Sequence, residues 1–204
     1  MNIDWDLANR ALQRIGQARL PTNDTTSRSA LLLRDFYLPT ILEALAEVPW
    51  TSAKRRVALV EDILSENLTE YACMYPLPVD CARPLELWLQ NPYFIIEGDI
   101  LYTDIPGAIL LYITNGRIAD PANYHDTEDF PEYETLPLEV KFWEYVEANL
   151  AGKLSLSLTG KDDLYQVLRN EALLIGQLAS QASRSASAAK KNGSPLWMGG
   201  VRGR

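Results

Sequence analysis

The stretch FIIEGDILYTDIPGAILLYI, residues 94–113, decides how the middle of this chain folds. Its β-branched and aromatic runs are separated by a Gly-Asp pair at 98–99 and by a Pro-Gly pair at 106–107. Both pairs are typical of tight turns between strands. The stretch therefore predicts β-strands joined by turns, and three acidic residues would lie at or beside those turns: Glu97, Asp99 and Asp104.

The same carboxylates suggest an alternative, a pair of catalytic acids in an apolar cleft. Glycoside hydrolysis needs two carboxyl groups held roughly 5 to 9.5 Å apart around the substrate, one of them with a raised pKa. Carboxylates distributed around hairpin turns meet that requirement only by accident of the fold. We therefore expect a structural role for these residues and no catalytic site.

Strand-like runs between Pro, Gly, Asn and Asp residues extend from about residue 58 to 134. The acidic segment HDTEDFPEYE, residues 125–134, lacks the ligand spacing and central glycine of a calcium loop, so we expect a solvated connection. His125 is the only histidine, and no nucleophile motif accompanies it to complete a catalytic triad. The candidate strands are 71–77, 84–89, 93–98, 100–104 and 108–113.

Helical spacing of apolar residues precedes the strands. Residues 4–17 predict a short helix that ends at Gly16, and residues 30–48 predict a second helix opened by a Thr or Ser N-cap. Pro39 predicts a kink or a break in the second helix near Tyr37 and Leu38. A further helical piece is expected over WTSAKRRVAL, residues 50–59. The expected apolar positions are Leu7, Ala8, Ala11, Leu12 and Ile15, then Leu31, Leu32, Phe36, Ile41, Leu42 and Leu45.

Two more helices are predicted after the strands. The first begins near Pro137, and Gly160 supplies the turn to the second. Thr159 with Asp162 resembles a capping box for the second helix. The expected core positions are Val140, Trp143, Val146, Leu150 and Leu154, then Leu164, Leu168, Ile175, Leu178 and Ala182.

The composition, 47% hydrophobic and 23% charged, is that of an ordinary globular protein and argues against a disordered body. No apolar run approaches the ~18 residues of a membrane span, and the acidic start lacks a signal-peptide pattern, so we expect a protein that stays in the cytosol of the cell that makes it. Cys73 and Cys81 have no second cysteine pair to complete a zinc site, and we expect two free thiols. No metal or cofactor is expected.

Charge is distributed unevenly along the chain. The net charge is −8, but no acidic residue follows Glu171, so residues 172–204 carry +5 and the rest carries −13. Nonspecific nucleic-acid binding depends on Lys and Arg side chains that neutralise phosphates. The acidic body therefore argues against that activity.

The segment NGSPLWMGGVRGR, residues 192–204, is basic and rich in glycine. It places Leu196, Trp197 and Met198 together, and their exposure is costly unless another surface covers them. Tryptophan is a favoured anchor at protein interfaces. Two interpretations remain open, an unstructured terminus with an incidental tryptophan or an arm that docks on a partner.

Several stretches occur in an order and spacing that match a known family. They are ANRALQRIG at 8–16, VPWTSAKRRVAL at 48–59, YPLPVDCARPLEL at 75–87, IEGDILYTDIPGAILLYI at 96–113, and the helical segment at 136–172. Together they resemble the head-to-tail adaptor (connector) proteins of tailed bacteriophages, which include the tail tubular protein A type and the adaptors of gene transfer agents. The resemblance spans nearly the whole chain.

The resemblance implies an α+β fold, mainly α. A helical bundle would form from residues 1–57 and 135–188, with a small antiparallel β-rich insertion at 58–134 and an extended C-terminal arm at 189–204. In this family the arm resembles in placement an element that docks onto the portal protein. The arm residues implied to dock are Ser194, Pro195, Leu196, Trp197, Met198, Val201, Arg202 and Arg204.

The resemblance also implies a structural virion protein and not an enzyme. Copies would form a ring, usually twelvefold, beneath the portal, and DNA would pass through its channel without specific binding. The ring would offer a surface to the next tail protein, a nozzle or tail-tube protein. It would lie in the neck or tail of the virion, with assembly in the host cytoplasm and no membrane involved.

Two alternatives from other classes stay open. A muramidase-like hydrolase of peptidoglycan would use Glu97 with Glu132 or Glu134 as its acids. A monomeric assembly chaperone would instead bind a helix of its client in an apolar groove.

Overall fold

The computed structural model describes residues 3–22, 24–63, 67–88, 93–115 and 138–192. Within them the chain forms four α-helices and six β-strands. The helices are α1 (Trp5–Arg14), α2 (Arg28–Glu47), α3 (Val140–Thr159) and α4 (Asp162–Asn192). The strands are β1 (Lys54–Ala58), β2 (Cys73–Pro76), β3 (Cys81–Leu87), β4 (Ile95–Glu97), β5 (Ile100–Thr103) and β6 (Ile109–Thr114).

Helices from the two halves of the chain build one body. Helix α3 packs against α1, α2 and α4, and Leu12, Leu45 and Leu154 lie in one buried core. The strands lie between α2 and α3 in the sequence. The predicted α+β class, mainly helical with an antiparallel β-rich insertion, is therefore confirmed. Helix α4 continues to Asn192, beyond the predicted end of the bundle at 188.

The first two helices begin within two residues of their predicted starts. A carboxylate oxygen of Asp4 accepts from the backbone amides of Asp6 and Leu7, and Ser27 Oγ accepts from the Ala30 amide at 3.2 Å. Each cap satisfies amides that have no partner within the helix. The chain leaves α1 through Gly16, whose φ of 75° suits a residue without a Cβ.

Of the kink or break predicted near Tyr37 and Leu38, the break is wrong, because α2 runs through Pro39. Proline removes the amide that would bond to the carbonyl of Asp35, and both residues lie on the solvent side of the helix. Water can therefore reach the freed carbonyl. On the other side, Tyr37 and Ile41 anchor the helix in the core. The predicted core position Leu31 is 47% exposed.

The helical piece predicted over residues 50–59 is also wrong. Thr51–Ala53 form one 3₁₀ turn, and β1 then pairs antiparallel with β6 from Lys54↔Ile113 to Ala58↔Ile109. A strand more than 50 positions away along the chain overrides the local helical preference there. The β-structure therefore begins at Lys54, before the predicted boundary at residue 58.

Two small antiparallel sheets form, in the orders β1-β6-β3 and β2-β5-β4. The turn at 98–99 makes the predicted hairpin, with Glu97 opposite Ile100 and Gly98 at φ 59°. The Pro-Gly pair at 106–107 is not a hairpin turn, because β5 and β6 belong to different sheets. The stretch at 94–113 thus contains both the β4–β5 hairpin and the crossing between the sheets.

Strand β6 joins the two hydrophobic cores. Leu110 and Tyr112 belong to the core of the β-region, whereas Ile113 belongs to the helical core. Successive side chains of a strand point to opposite faces, so one strand can serve both. The β-insertion is therefore packed against the helices through its central strand.

The turn between α3 and α4 has the predicted glycine, Gly160, at φ 65°. The capping box does not form, because Thr159 is still part of α3 and its hydroxyl donates to the Ser155 carbonyl at 2.7 Å. Predicted core positions that are exposed are Val140, Leu178 and Ala182. The buried stripe in the described part of α4 consists of the predicted Leu168 together with Ala172, Gly176, Ala179 and Ser183.

Candidate functional site

The residues expected to dock a portal lie outside the described part of the chain: Ser194, Pro195, Leu196, Trp197, Met198, Val201, Arg202 and Arg204. The same holds for the acidic segment 125–134, with His125, Glu132 and Glu134, and for Pro137. These expectations stay predictions. The described residues nevertheless contain four polar or charged groupings that a functional site could use.

The three acidic residues at or beside the turns of the β-region, Glu97, Asp99 and Asp104, are exposed. Asp104 Oδ1 accepts from the backbone amide of Ala72 at 2.9 Å, which joins the end of β5 to the start of β2. Asp99 lies in the hairpin turn. Glu97 lines a cavity of about 550 Å³ together with Glu70, Tyr71 and Tyr102, and both glutamates are exposed. A general acid of a glycosidase is instead held against apolar groups.

The two cysteines are free thiols, as the sequence predicts. Burial is the main reason that the pKa of Cys81 rises to about 11, and the charge of Asp80 adds to the effect. Burial also raises the pKa of Cys73. Because the thiolate is the reactive form, neither cysteine is an activated nucleophile near neutral pH.

Asp80 organises a second polar group between β3 and β6. Thr114 Oγ1 donates to Asp80 Oδ2 at 2.6 Å, and the Tyr112 hydroxyl donates to Oδ1 at 3.1 Å. Burial, followed by the charge of Asp80, raises the pKa of Tyr112 to about 12. The group fixes the start of β3 to its neighbouring strand.

The third grouping joins three helices at the end of α2. The Tyr145 hydroxyl donates to Glu47 Oε2, and Arg169 Nη2 donates to Glu47 Oε1 at 3.3 Å. Arg169 Nη1 also donates to Asn149 Oδ1 at 3.2 Å. Burial, followed by the bond to Glu47, raises the pKa of Tyr145. A cavity of about 480 Å³ opens beside this group, lined in part by Val48, Leu173 and Gly176.

In this helix-joining group, the charged side chains of Glu47 and Arg169 are paired with each other. The carboxylate of Glu47 is occupied by a phenol and a guanidinium, and no hydroxyl or thiol lies in the group beside a free base to be activated. Its chemistry therefore fits a clamp between α2, α3 and α4. Sequence reasoning missed it because Glu47 lies 98 positions from Tyr145 and 122 from Arg169, and no local motif links them.

The fourth grouping is basic and lies on the β1-β6-β3 sheet. Arg55 and Arg56 of β1 are exposed, and the Arg56 guanidinium stacks 4.1 Å from the centre of the Trp88 ring. Arg83 of β3 donates to the carbonyls of Ala46 and Glu47 at 3.3 and 3.0 Å. That contact satisfies carbonyls at the end of α2, where a helix favours positive charge.

In the described ranges, no group of three or more His, Cys, Asp or Glu side chains is placed to hold a metal ion. Among the helices that the structure describes, none combines the length and apolarity required to cross a bilayer.

A scan against protein-family models gives no match for this chain, and a search of curated proteins gives no significant match.

Proposed function

We propose that this chain is a structural virion protein, the head-to-tail adaptor of a tailed bacteriophage. It assembles as a ring beneath the portal protein, extends the DNA channel and provides the attachment surface for the next tail protein. The observation that carries the proposal is the helical core shared by the two halves of the chain, with the strands inserted between them. This is the organisation that the resemblance implies.

Contacts between the resembling stretches support the proposal. Trp50, from the stretch at 48–59, packs edge-on against Phe142 and Tyr145 of α3, with ring centres 5.3 and 5.6 Å apart. The stretch at 8–16 contacts the closing helices through ion pairs from Arg14 Nη2 to Glu171 at 2.5 Å and from Arg10 to Glu147 at 2.7 Å. The stretches that carry the resemblance thus lie against one another in the fold.

The charge of the body supports a channel for DNA. Residues 1–171 carry −13, and such a surface repels phosphate and does not grip it. Arg55 and Arg56 are a local exception. In the proposed ring, the β1 edge lies away from the channel, and these two side chains face protein.

The basic segment at 194–204 supports docking on a larger assembly. Its Leu196, Trp197 and Met198 supply an apolar anchor, and a tethered anchor raises the effective concentration of the body at its partner. Ordering such an arm costs several kcal/mol, and the free energy gained by burying the anchor must exceed that cost.

The experiment is a pull-down with the portal protein of the same phage, comparing the full chain with a chain that lacks residues 193–204. The Trp197→Ala variant tests the anchor, and Trp88→Ala is its matched control, because Trp88 lies on the β-insertion. We expect the truncation and Trp197→Ala to lose portal binding and Trp88→Ala to retain it. Unchanged binding by the truncated chain would show that the arm is not needed for docking on the portal.

The cavity beside Glu97 is the one observation that favours the hydrolase alternative, since two carboxylates, Glu70 and Glu97, line it. A zymogram on peptidoglycan decides between the two functions. The adaptor proposal predicts no clearing. Clearing that disappears in the Glu97→Gln variant would establish the hydrolase instead.

A further inference from the structure

The outer face of α4 has an unusual composition. Every exposed residue of this helix between 166 and 182 is either apolar or an uncharged amide. Val167, Leu174 and Leu178 are 62%, 60% and 54% exposed. This uncharged face consists of Gln166, Val167, Asn170, Leu173, Leu174, Gln177, Leu178, Gln181 and Ala182.

Two charged residues beside the uncharged face, Arg169 and Glu171, are paired within their own subunit, whereas Asp162 and Asp163 are exposed at its N-terminal end. Arg169 is paired with Glu47 at 3.3 Å, and Glu171 is paired with Arg14 at 2.5 Å. Both side chains are partly buried. The face therefore presents no charge of its own, on a chain in which 23% of residues are charged.

The spacing of the uncharged face is that of a helix-packing surface. Positions 167, 170, 174, 177 and 181 alternate steps of three and four residues, which forms one continuous stripe along a helix. The buried positions Leu168, Ala172 and Ala179 form a separate stripe within the helical core, where α4 packs against α3. Helix α4 thus has two packing stripes, and its own subunit fills one.

A solvated helix face normally carries charged side chains, whereas the interior of a protein interface is depleted of Lys, Glu and Asp. The uncharged face follows the second pattern. We propose that it docks a second copy of this chain. The inference rests on the proposed function, in which copies stand side by side in a ring, and it identifies the surface that each copy offers to its neighbour.

Charge favours a second copy over other occupants. Two chains of net charge −8 repel each other, and the repulsion is weaker where the face that one copy presents to the other carries no charge. A nucleic acid would require Lys or Arg on this face. A helix that lies on a membrane also carries basic residues on its polar side. Neither pattern is present among the exposed residues at 166–182.

The size of the uncharged face sets the strength expected of the contact. A helical segment of this length is roughly 24 Å long and about 10 Å wide, or on the order of 250 Å². A stable interface buries about 800 Å² on each partner. The face is therefore the centre of a larger contact, and the isolated chain should associate in a concentration-dependent way.

Sedimentation velocity at rising protein concentration tests the proposal. The disrupting variant is Leu174→Glu with Leu178→Glu, and a second variant, Asn170→Glu with Gln181→Glu, adds negative charge without removing apolar surface. The control is Leu31→Glu, an exposed leucine of α2 at 47% exposure. Circular dichroism and a thermal melt should show that all variants fold as the wild type does.

We expect the sedimentation coefficient of the wild type and of Leu31→Glu to rise with concentration, and both α4 variants to remain monomeric. A wild type that stays monomeric, or α4 variants that associate as the wild type does, would overturn the inference. Either result is compatible with portal binding in the pull-down, so the inference can fail while the proposed function stands.

A cysteine variant distinguishes a two-fold contact between α4 helices from the contact expected in a ring. In a Cys73→Ala, Cys81→Ala background, Leu174→Cys forms a disulfide between copies only where two α4 helices meet across a two-fold axis. A ring brings α4 against a different surface of its neighbour. Closed disulfide-linked dimers would therefore overturn the ring while the docking face stands.

Discussion

Trp50 donates its indole N–H to the carbonyl oxygen of Ala44 at 2.7 Å, inside the core that α2 shares with α3. The bond ties Trp50, three positions beyond the end of α2, to the last turn of that helix. The indole ring also contacts Phe142 and Tyr145, which lie in the second half of the chain. One side chain thus ends a helix and joins the two halves of the helical body.

Replacing Trp50 with alanine should lower the free energy of unfolding by about 3–5 kcal/mol, because the side chain is fully buried. Trp50→Phe keeps an aromatic ring but loses the donor, which is worth about 1 kcal/mol in addition to any repacking cost. Trp88→Ala, where the ring is partly exposed and stacks on Arg56, should cost less than about 1 kcal/mol. Urea unfolding measures all three, and equal losses for Trp50→Ala and Trp88→Ala would contradict the shared core.

Two glycines inside helices form a matched pair. A Cβ at Gly176 would lie 2.9 Å from Val48 Cγ2 and 3.2 Å from the Tyr145 ring, whereas a Cβ at Gly152 would lie 3.5 Å from Tyr165 Cδ2, an ordinary van der Waals contact. Alanine gains up to about 1 kcal/mol of helix propensity at either site. We expect Gly152→Ala to raise the melting temperature and Gly176→Ala to lower it by overpacking. A rise for both variants would mean that α4 lies farther from Val48 than described.

Tyr145 should make the protein sensitive to alkaline pH. An unfolded tyrosine ionises near pH 10, and the pKa of Tyr145 is raised in the fold by burial and by its bond to Glu47. Its stabilising contribution is therefore complete below about pH 10 and is lost as the pH rises further, because the unfolded chain releases the proton first.

The Tyr145→Phe variant should be less stable at neutral pH by about 1.5–3 kcal/mol, since it loses a hydrogen bond to a charged group. Its stability should also fall less steeply above about pH 10. Part of the decrease in stability with pH should remain in this variant, because Tyr112, whose pKa is about 12, also contributes to it. Unfolding curves across this range provide the measurement, with Tyr93→Phe at an exposed ring as the control. A slope identical to the wild type would contradict the Glu47 contact.

The thiol of Cys81 should react slowly in the folded protein. Its pKa of about 11, against an ordinary value of 9.0, lowers the thiolate fraction at neutral pH by about 100-fold. In a Cys73→Ala variant, a thiol reagent should label Cys81 far faster after unfolding than before. Equal rates in both states would show that the site is not buried beside Asp80.

The sequence predicts those structural features that depend on residues close together in the chain. The β4–β5 hairpin depends on Gly98 and Asp99, and the helix starts depend on Asp4 and Ser27, so local chemistry is sufficient for them. Strand β1 depends on β6, more than 50 positions away, and its sequence taken alone favours a helix. The continuity of α2 through Pro39 depends on which side of the helix faces solvent, which the local pattern does not specify.

The same distinction applies to the candidate sites. The clamp of Glu47, Tyr145 and Arg169 brings together three elements that only the tertiary fold places side by side. Helical spacing predicts Leu178 and Ala182 as core positions of α4, but both lie on its uncharged, exposed face. Periodicity alone does not distinguish the two apolar stripes of such a helix.

Electron microscopy of the purified protein mixed with the portal of the same phage tests the adaptor proposal most directly. The account predicts a second collar below the portal ring, and this collar should be absent when residues 193–204 are removed. Portal rings that remain unchanged, with the protein bound as a single copy or not at all, would contradict it and favour the monomeric chaperone.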